Sequence, residues 1–355
     1  MYEPTLGKVK EAKVRNLQFF AKAVFIPRWV RINTLKLSIA AFRVALERLS
    51  LVAVTTLDSL KDTQHGYILD TNVTNLVAFH PSFAVQKDFS TEYSEGILIL
   101  QDKASCIPAD LLDVPRGGSV LDACAAPGNK TTQLAAAVGR DGHVIAVEKD
   151  PKRVQTLNSM IEKAGASDCI IRLFLTNQEV TTIINANFST LDPLNKQFAK
   201  ITHVLLDPSC SGSGLDRLDY NQSEDLETRL RNLSTFQYRL LKHALSFPAV
   251  KRVVYSTCSI HAEENERVVK RVLDEHHEWR LLTRNEQISS LRMWPRRGLQ
   301  HEFDSESDAE ACIRTQKGTD GTIGFFAVGF VRRELSDVES SSSIDEEEEW
   351  EGISE

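Results

Sequence analysis

Two cysteines of this chain stand in like surroundings. "LLDPSCSGSG" (Leu205–Gly214) puts Cys210 just past an apolar run, and "VVYSTCSIHAEEN" (Val253–Asn265) does the same with Cys258. Each run reads as a buried strand, and the small residues after it read as a turn. A disulfide, a metal site and a nucleophile pair are the chemistries open to such a pair. The chain's six cysteines, Cys106, Cys124, Cys169, Cys210, Cys258 and Cys312, are irregularly spaced and include no CxxC. That argues against a disulfide framework and suits a reducing compartment. No further Cys or His gathers at ligand spacing, which argues against a metal. Cys106, Cys169 and Cys312 read as small buried hydrophobes.

Covalent catalysis remains. Carbon 5 of cytosine is too weak a nucleophile to take a methyl group from a sulfonium. A thiolate that adds to carbon 6 turns the ring into an enamine, and carbon 5 then attacks. An ordinary cysteine titrates at about 8.5, so the site must favour the thiolate. Expelling the enzyme sulfur requires loss of the proton on carbon 5, and a second thiol nearby would serve there.

"VLDACAAPGNKTTQLA" (Val120–Ala135) reads as a strand, a small-residue turn and a helix start, where backbone N–H groups meet a ligand. It is neither GxGxxG nor the Walker pattern. The next strand ends in Glu148, placed to bind both hydroxyls of a ribose. A ribose site without a phosphate-binding glycine fingerprint favours an adenosyl group over a dinucleotide, and S-adenosyl-L-methionine over NAD.

The elements that must position these residues alternate. "GSVLDACA", "GHVIAVEKD", "THVLLDPS" and "VKRVVYSTCS" read as strands. "NKTTQLAAAVG", "PKRVQTLNSMIEKAGA" and "TFQYRLLKHALSF" read as helices. The fold class is therefore α/β: a Rossmann-like sheet, mostly parallel, with helices on both faces and an antiparallel strand from "TIGFFAVGFVRR" at its end. Asp122, Glu148, Asp207, Cys210 and Cys258 all fall at carboxyl ends of strands, where open α/β sheets bind ligands. Four segments are expected. Residues 1–27 form a helical lead-in, and residues 28–100 a small α+β module in which "LVAVTTLD" and "NLVAFH" are two strands, or a strand and a strand-like turn. Residues 101–333 form the catalytic domain, and residues 334–355 a disordered acidic tail.

At 355 residues, with 42% hydrophobic and 26% charged content, the composition is that of a globular protein. No uncharged apolar run approaches a membrane span, and no secretion signal opens the chain. The net charge of −7 is uneven: Glu334–Glu355 carries ten acidic residues and no basic one, while residues 1–50 hold ten Lys or Arg against three acids. A basic head suits a polyanionic partner, and Arg28, Arg31 and Lys36 are expected to touch phosphate. A solvated helix face accounts for the charge equally well. "MWPRRGLQ" (Met293–Gln300) reads either as an RNA contact or as a plain loop, and Glu263–Asn265 as a helix start.

The motifs together resemble the Nop/Sun family of RNA cytosine-5 methyltransferases over roughly residues 27–333. "PRWVRINTLK", "LQDKASCIPA", "DACAAPGNKT", "LLDPSCSGSG" and "YSTCSIHAEEN" stand in the family's order, nearest to its branch that modifies large-subunit ribosomal RNA. The resemblance implies that Cys258 is the nucleophile and that Cys210 helps release product. Asp207 would meet the cytosine edge and lie against the cofactor, and Lys130 would sit over base and cofactor. Cys124, Ala125, Ala126, Pro127, Gly128 and Glu148 would hold S-adenosyl-L-methionine. It also implies an rRNA substrate, ribosome-assembly factors as further partners, a monomer, no metal and no membrane, and action in the nucleolus. Two departures stand out. Ser209 replaces the second proline of the usual "DPPC". The aspartate that contacts adenine has its best counterpart in Asn187, with Asn177 competing. The rivals are DNA-type carbon-5 methylation, in which Cys210 would attack, amino-group methylation, and a catalytically inactive RNA-binding scaffold in ribosome assembly.

Overall fold

The computed structural model describes residues 24–169, 172–174, 179–181, 183–215 and 225–333. Most of the expected helical lead-in, the acidic tail and Asn177 lie outside the described residues.

Near the N-terminus five strands form one sheet in the order β2-β3-β4-β1-β5. They are β1 (Arg28–Ile32), β2 (Val52–Ala53), β3 (Gly66–Leu69), β4 (Leu76–Phe79) and β5 (Leu98–Leu100). Helices α1 (Ile39–Arg48), α2 (Leu57–Asp62), α3 (Val85–Asp88) and α4 (Ser90–Ser94) connect them. The stretch read as one strand at Leu51–Asp58 is shorter: Thr56 accepts from the Ser59 N–H and starts α2, which ends strand pairing there. Strand alternation divides β1. Val30 and Ile32 face Phe42, Leu46, Val77 and Phe79 in the module's own core, while Trp29 on the other face joins the main core.

The second sheet runs β10-β7-β6-β11-β12-β15-β13, with β14 also paired to β15. Its chain order is α5 (Lys103–Leu112), β6 (Ser119–Asp122), α6 (Asn129–Val138), β7 (His143–Glu148) and α7 (Pro151–Ala164). A small hairpin of β8 (Arg172–Phe174) and β9 (Glu179–Thr181) follows, then β10 (Ile183–Asn185), β11 (His203–Leu206), α8 (Leu226–Leu245) and β12 (Arg252–Thr257). The chain continues through α9 (Glu266–Glu275), β13 (Trp279–Leu281), α10 (Ser289–Arg292), α11 (Glu306–Ala311), β14 (Ile313–Thr315) and β15 (Phe325–Arg332). Strands β10, β7, β6, β11 and β12 are parallel; β15 pairs antiparallel with β12. The mostly parallel sheet with a late antiparallel strand is the one the alternation predicts.

The apolar runs are continuous because both faces are covered. Val120, Val144, Leu205 and Val254 pack beneath α5, α6 and α7, and Leu121, Ile145, Val204 and Val253 beneath α8 and α9. Sequence order reverses between β6 and β11: the chain first winds outward through β7 and β10, then returns. A crevice opens at the carboxyl ends on either side of such a point. No helix among the described residues is long and apolar enough to cross a membrane.

Candidate active site

The crevice at the β6/β11 switch point is a cavity of about 550 Å³. Cys124, Ala126, Glu148, Asn187, Asp207, Cys210 and Cys258 all line it. Residues from five loops thus converge, each carried to the rim by a strand whose apolar body is buried.

The two sulfurs lie 3.1 Å apart, both half-buried. All six cysteines are free, and no group of acidic, His and Cys side chains among the described residues is arranged to hold a metal. The hydrogen bond from Cys210 lowers Cys258 below its ordinary value, against burial and the charge of Asp207. The Lys130 cation acts on Cys258 in the same lowering sense. That hydrogen bond and burial push Cys210 well up. Of the two sulfurs, Cys258 is the one biased toward thiolate. Cys124 is a different case: burial pushes it up, and it remains a neutral thiol.

Lys130 and Asp207 form the electrostatic centre. Lys130 Nζ donates to Asp207 Oδ2 at 2.7 Å and to Ser105 Oγ at 3.0 Å, and Ser256 Oγ donates to Asp207 Oδ1 at 2.7 Å. Burial pulls Lys130 down, but the attraction of Asp207 outweighs it and holds the ammonium above its ordinary value. Asp207 accordingly has both oxygens engaged and a fixed orientation. Lys130 Nζ also stands 5.5 Å from the centre of the Phe325 ring.

The cofactor side is built from the turn after β6. Gly128 adopts φ +113 at the start of α6, and a Cβ there would stand 3.0 Å from Leu157 Cδ1 and 3.1 Å from Met160 Cβ. Only glycine holds that conformation cheaply. Ala125 is fastened by its N–H to Val147 O, and Arg153 donates to Ala126 O. Glu148, buried at the end of β7, accepts from the Asp150 N–H at 3.0 Å and pairs with Arg153 at 3.3 Å. Asn187 Oδ1 accepts from the Ser189 N–H and starts a short 3-10 turn at the crevice wall. Beneath the turn, burial raises the Asp122 carboxyl to about 6, and its Oδ1 has no hydrogen-bond partner among the described residues.

The expected phosphate contact by Arg31 is not what the fold provides. Arg31 is 2% exposed and donates to Gln101 Oε1, Asn129 O and Thr132 Oγ1. It shares the face of β1 that carries Trp29, and the methyltransferase-like body covers that face. Lys36 donates to Glu95 O and to Lys163 O in the last turn of α7, and Arg28 to Pro81 O. "MWPRRGLQ" likewise serves the fold. Trp294 is buried, Arg296 pairs with Asp320 at 2.8 Å, and Arg297 donates to Gln287 and to the carbonyls that end α10.

Sequence reasoning passed over Ser105, Ser256, Glu264 and Gly214. Ser105 and Ser256 sit inside quoted motifs, but nothing in their spacing ties them to Lys130 or Asp207. Gly214 is packed so tightly that a Cβ would stand 2.0 Å from Gly324 O and 2.9 Å from Cys258 O.

An open sheet of this order, with its crevice at the reversal of strand order, defines a Rossmann-like methyltransferase fold. Solved structures of that kind superimpose on it. A methyltransferase homologue from Pyrococcus horikoshii does so with a TM-score of 0.66 at 23% identity, over 87% of each chain. NSun6 from Pyrococcus horikoshii, solved with SFG, gives 0.60 at 16% identity over 87% of this chain and 91% of that one. The model of the 16S rRNA methyltransferase RsmB/F family matches residues 109–303, and the chain belongs to that family. Among its relatives, 25S rRNA (cytosine-C(5))-methyltransferase rcm1 of Schizosaccharomyces pombe is 42% identical over 85% of this chain and 63% of its own length. The 28S rRNA (cytosine-C(5))-methyltransferase of Mus musculus is 36% identical over 88% of this chain and 64% of its own. The chain thus spans slightly less than two thirds of the length of these two relatives.

Proposed function

We propose that this chain methylates carbon 5 of a cytosine in large-subunit ribosomal RNA, using S-adenosyl-L-methionine and a covalent adduct between Cys258 and carbon 6. The single observation that carries the reading is the pair of free thiols 3.1 Å apart beside the Lys130–Asp207 ion pair. The names of the relatives support the substrate. In this reading the nucleolus is the compartment, and ribosome-assembly factors are the associated proteins.

The residues present fit the cofactor. The turn after β6 brings Cys124 and Ala126 to the crevice wall, and the Glu148 carboxylate at the end of β7 suits a ribose diol. Cys124 to Gly128, with Glu148, would hold it, and Asn187 would meet its adenine. When bound, it supplies a methyl group on a sulfonium. The protein's own groups do the rest. Cys258, already biased toward thiolate, adds to carbon 6. Asp207, held by Lys130 and Ser256, meets the cytosine edge near N3 and orients the base, and Lys130 offsets the charge that develops on the ring. For release, the proton on carbon 5 passes to a base. The carbon–sulfur bond then breaks, its electron pair returning to Cys258. Cys210 is the side chain adjacent to that sulfur and serves this step.

The test is to incubate the chain with S-adenosyl-L-methionine and ribosomal RNA and look for a protein–RNA adduct under denaturing conditions. Cys258→Ala should abolish methyl transfer, and Cys210→Ala should trap the adduct. Trapping by Cys258→Ala instead would give the attack to Cys210, as in DNA-type enzymes. Neither adduct nor methyl transfer from any variant would favour the scaffold reading.

A further inference from the structure

Glu264, Asn265 and Glu266 follow the Cys258 turn, and all three are fully buried. Each fastens a different segment. Asn265 holds the Cys258 turn itself: Oδ1 accepts from Thr257 Oγ1 at 2.5 Å, and Nδ2 donates to Ser259 O at 3.0 Å. Glu266 accepts from Arg314 through both oxygens at 2.6 Å, and Arg314 also donates to Ile260 O. Glu264 reaches the other way, to the Cys210 loop. Its Oε1 accepts from the Ser211 N–H at 2.8 Å and from Gln237 Nε2 at 2.9 Å. Gln237, projecting from α8, also donates to Ser209 O at 3.1 Å.

Ser209 and Ser211 flank Cys210, so the two side chains grip the loop on both sides of the thiol. Glu264 Oε2 has no hydrogen-bond partner among the described residues, and no cation among them pairs with this carboxylate. A buried carboxylate without a counter-ion is expensive to desolvate. Glu264 bears that expense at the point where the second cysteine is set.

We propose that Glu264, acting with Gln237, is a positioning residue for Cys210, set for release of methylated product rather than for the attack by Cys258. The inference rests on the proposed function. Cys258 has a fastening of its own: Asn265 holds its turn through Thr257 Oγ1 and Ser259 O. Loosening Glu264 leaves the hold of Asn265 on the Cys258 turn in place. In release, the proton on carbon 5 passes to a water molecule, the bond from carbon 6 to sulfur breaks with its pair going to Cys258, and the ring double bond re-forms. Cys210 must stand beside that sulfur throughout. A displacement of about 1 Å in such a group costs about a hundredfold.

The experiment compares Glu264→Ala, Glu264→Gln, Gln237→Ala and Cys210→Ala in the full chain with S-adenosyl-L-methionine and ribosomal RNA. It reads both methyl-transfer turnover and the covalent adduct on a denaturing gel. Glu264→Ala should slow turnover about a hundredfold while the adduct accumulates, as it does in Cys210→Ala. Accumulated adduct itself shows that the variant folds and attacks. Glu264→Gln keeps the accepting oxygen and should restore release. Gln237→Ala should shift the balance toward adduct from a different element, and it carries the test if Glu264→Ala does not fold. The proposal is overturned if Cys210→Ala traps adduct but neither Gln237→Ala nor a folded Glu264→Ala does. It is also overturned if Glu264→Gln behaves like Glu264→Ala. No adduct from Cys210→Ala would overturn the proposed function first, and this inference with it.

Discussion

The sulfur of Cys210 lies 3.1 Å from the sulfur of Cys258, although 48 positions separate the two residues in the chain. Parallel pairing of β11 with β12 brings them together by aligning Leu206 with Tyr255, so both turns leave the sheet at one level. The hydrogen bond between them, with the Lys130 cation acting in the same sense, biases Cys258 toward thiolate and pushes Cys210 up. Cys258 is therefore expected to alkylate with iodoacetamide at lower pH than Cys210, followed residue by residue by mass spectrometry. Cys210→Ala removes the donated hydrogen bond and moves the Cys258 midpoint to higher pH. Lys130→Met removes the cation and moves it the same way, while slowing methyl transfer about 10²- to 10³-fold. Preferential alkylation of Cys210 at low pH would reverse the assignment.

Arg31 joins the five-stranded module to α6 rather than RNA to protein. Arg31→Met strands Gln101 Oε1, while Thr132 Oγ1 and Asn129 O keep each other as partners, at a cost of about 1–3 kcal/mol in urea unfolding. The salt dependence of RNA binding should not change. Loss of a phosphate contact would instead reduce the slope of log K against log salt by about 1 and leave stability alone.

Gly214 is wedged between Gly324 and Cys258. Its N–H donates to Cys258 O and its carbonyl accepts from the Gly324 N–H at 3.0 Å, so the two cysteine loops and the entrance to β15 share one backbone contact. Gly214→Ala must push these segments apart. A cost of about 3 kcal/mol and a fall of about a hundredfold in turnover are expected, by urea unfolding and methyl-transfer assay. Normal activity in the alanine variant would show that the contact is not needed.

Asp122 gives a pH-dependent prediction of definite sign. Burial raises its carboxyl from 3.8 to about 6. Between those values the folded chain binds more protons than the unfolded one, so stability falls as pH rises through that window. The full penalty, on the order of 3 kcal/mol, is present above it. Asp122→Asn keeps an oxygen for the Thr131 hydroxyl and does not ionise. The stability of Asp122→Asn relative to the native chain should therefore climb with pH between about 4 and 6, then level off. A difference that is flat across that range would refute the shift.

Much of this was legible in the chain. Apolar runs ending in small-residue turns identified the strands of the main sheet, because a strand buried on both faces must be apolar throughout. The same runs marked which residues stand at strand ends, and so put Asp122, Glu148, Asp207, Cys210 and Cys258 on one rim. The shorter elements of the N-terminal module, such as β3, were not legible. Four residues, three of them partly exposed, have too little periodicity to separate a strand from a turn.

The amino-acid sequence by itself determined the fold class, the rim residues and the family, since each depends on local pattern or on motifs in order. The tertiary structure alone decided three things. It set which cysteine is biased toward thiolate, because that depends on the hydrogen bond between Cys210 and Cys258 and on Lys130, all distant in sequence. It turned Arg31 inward, because the face of β1 opposite Val30 and Ile32 is covered by a second body that no local pattern announces. It made Glu264 the brace of the Cys210 loop, because a carboxylate that reads as the first turn of a helix points across the sheet end to a backbone N–H 53 residues away. In each case the energy lies in contacts between segments distant along the chain, and these exist only once the chain is folded.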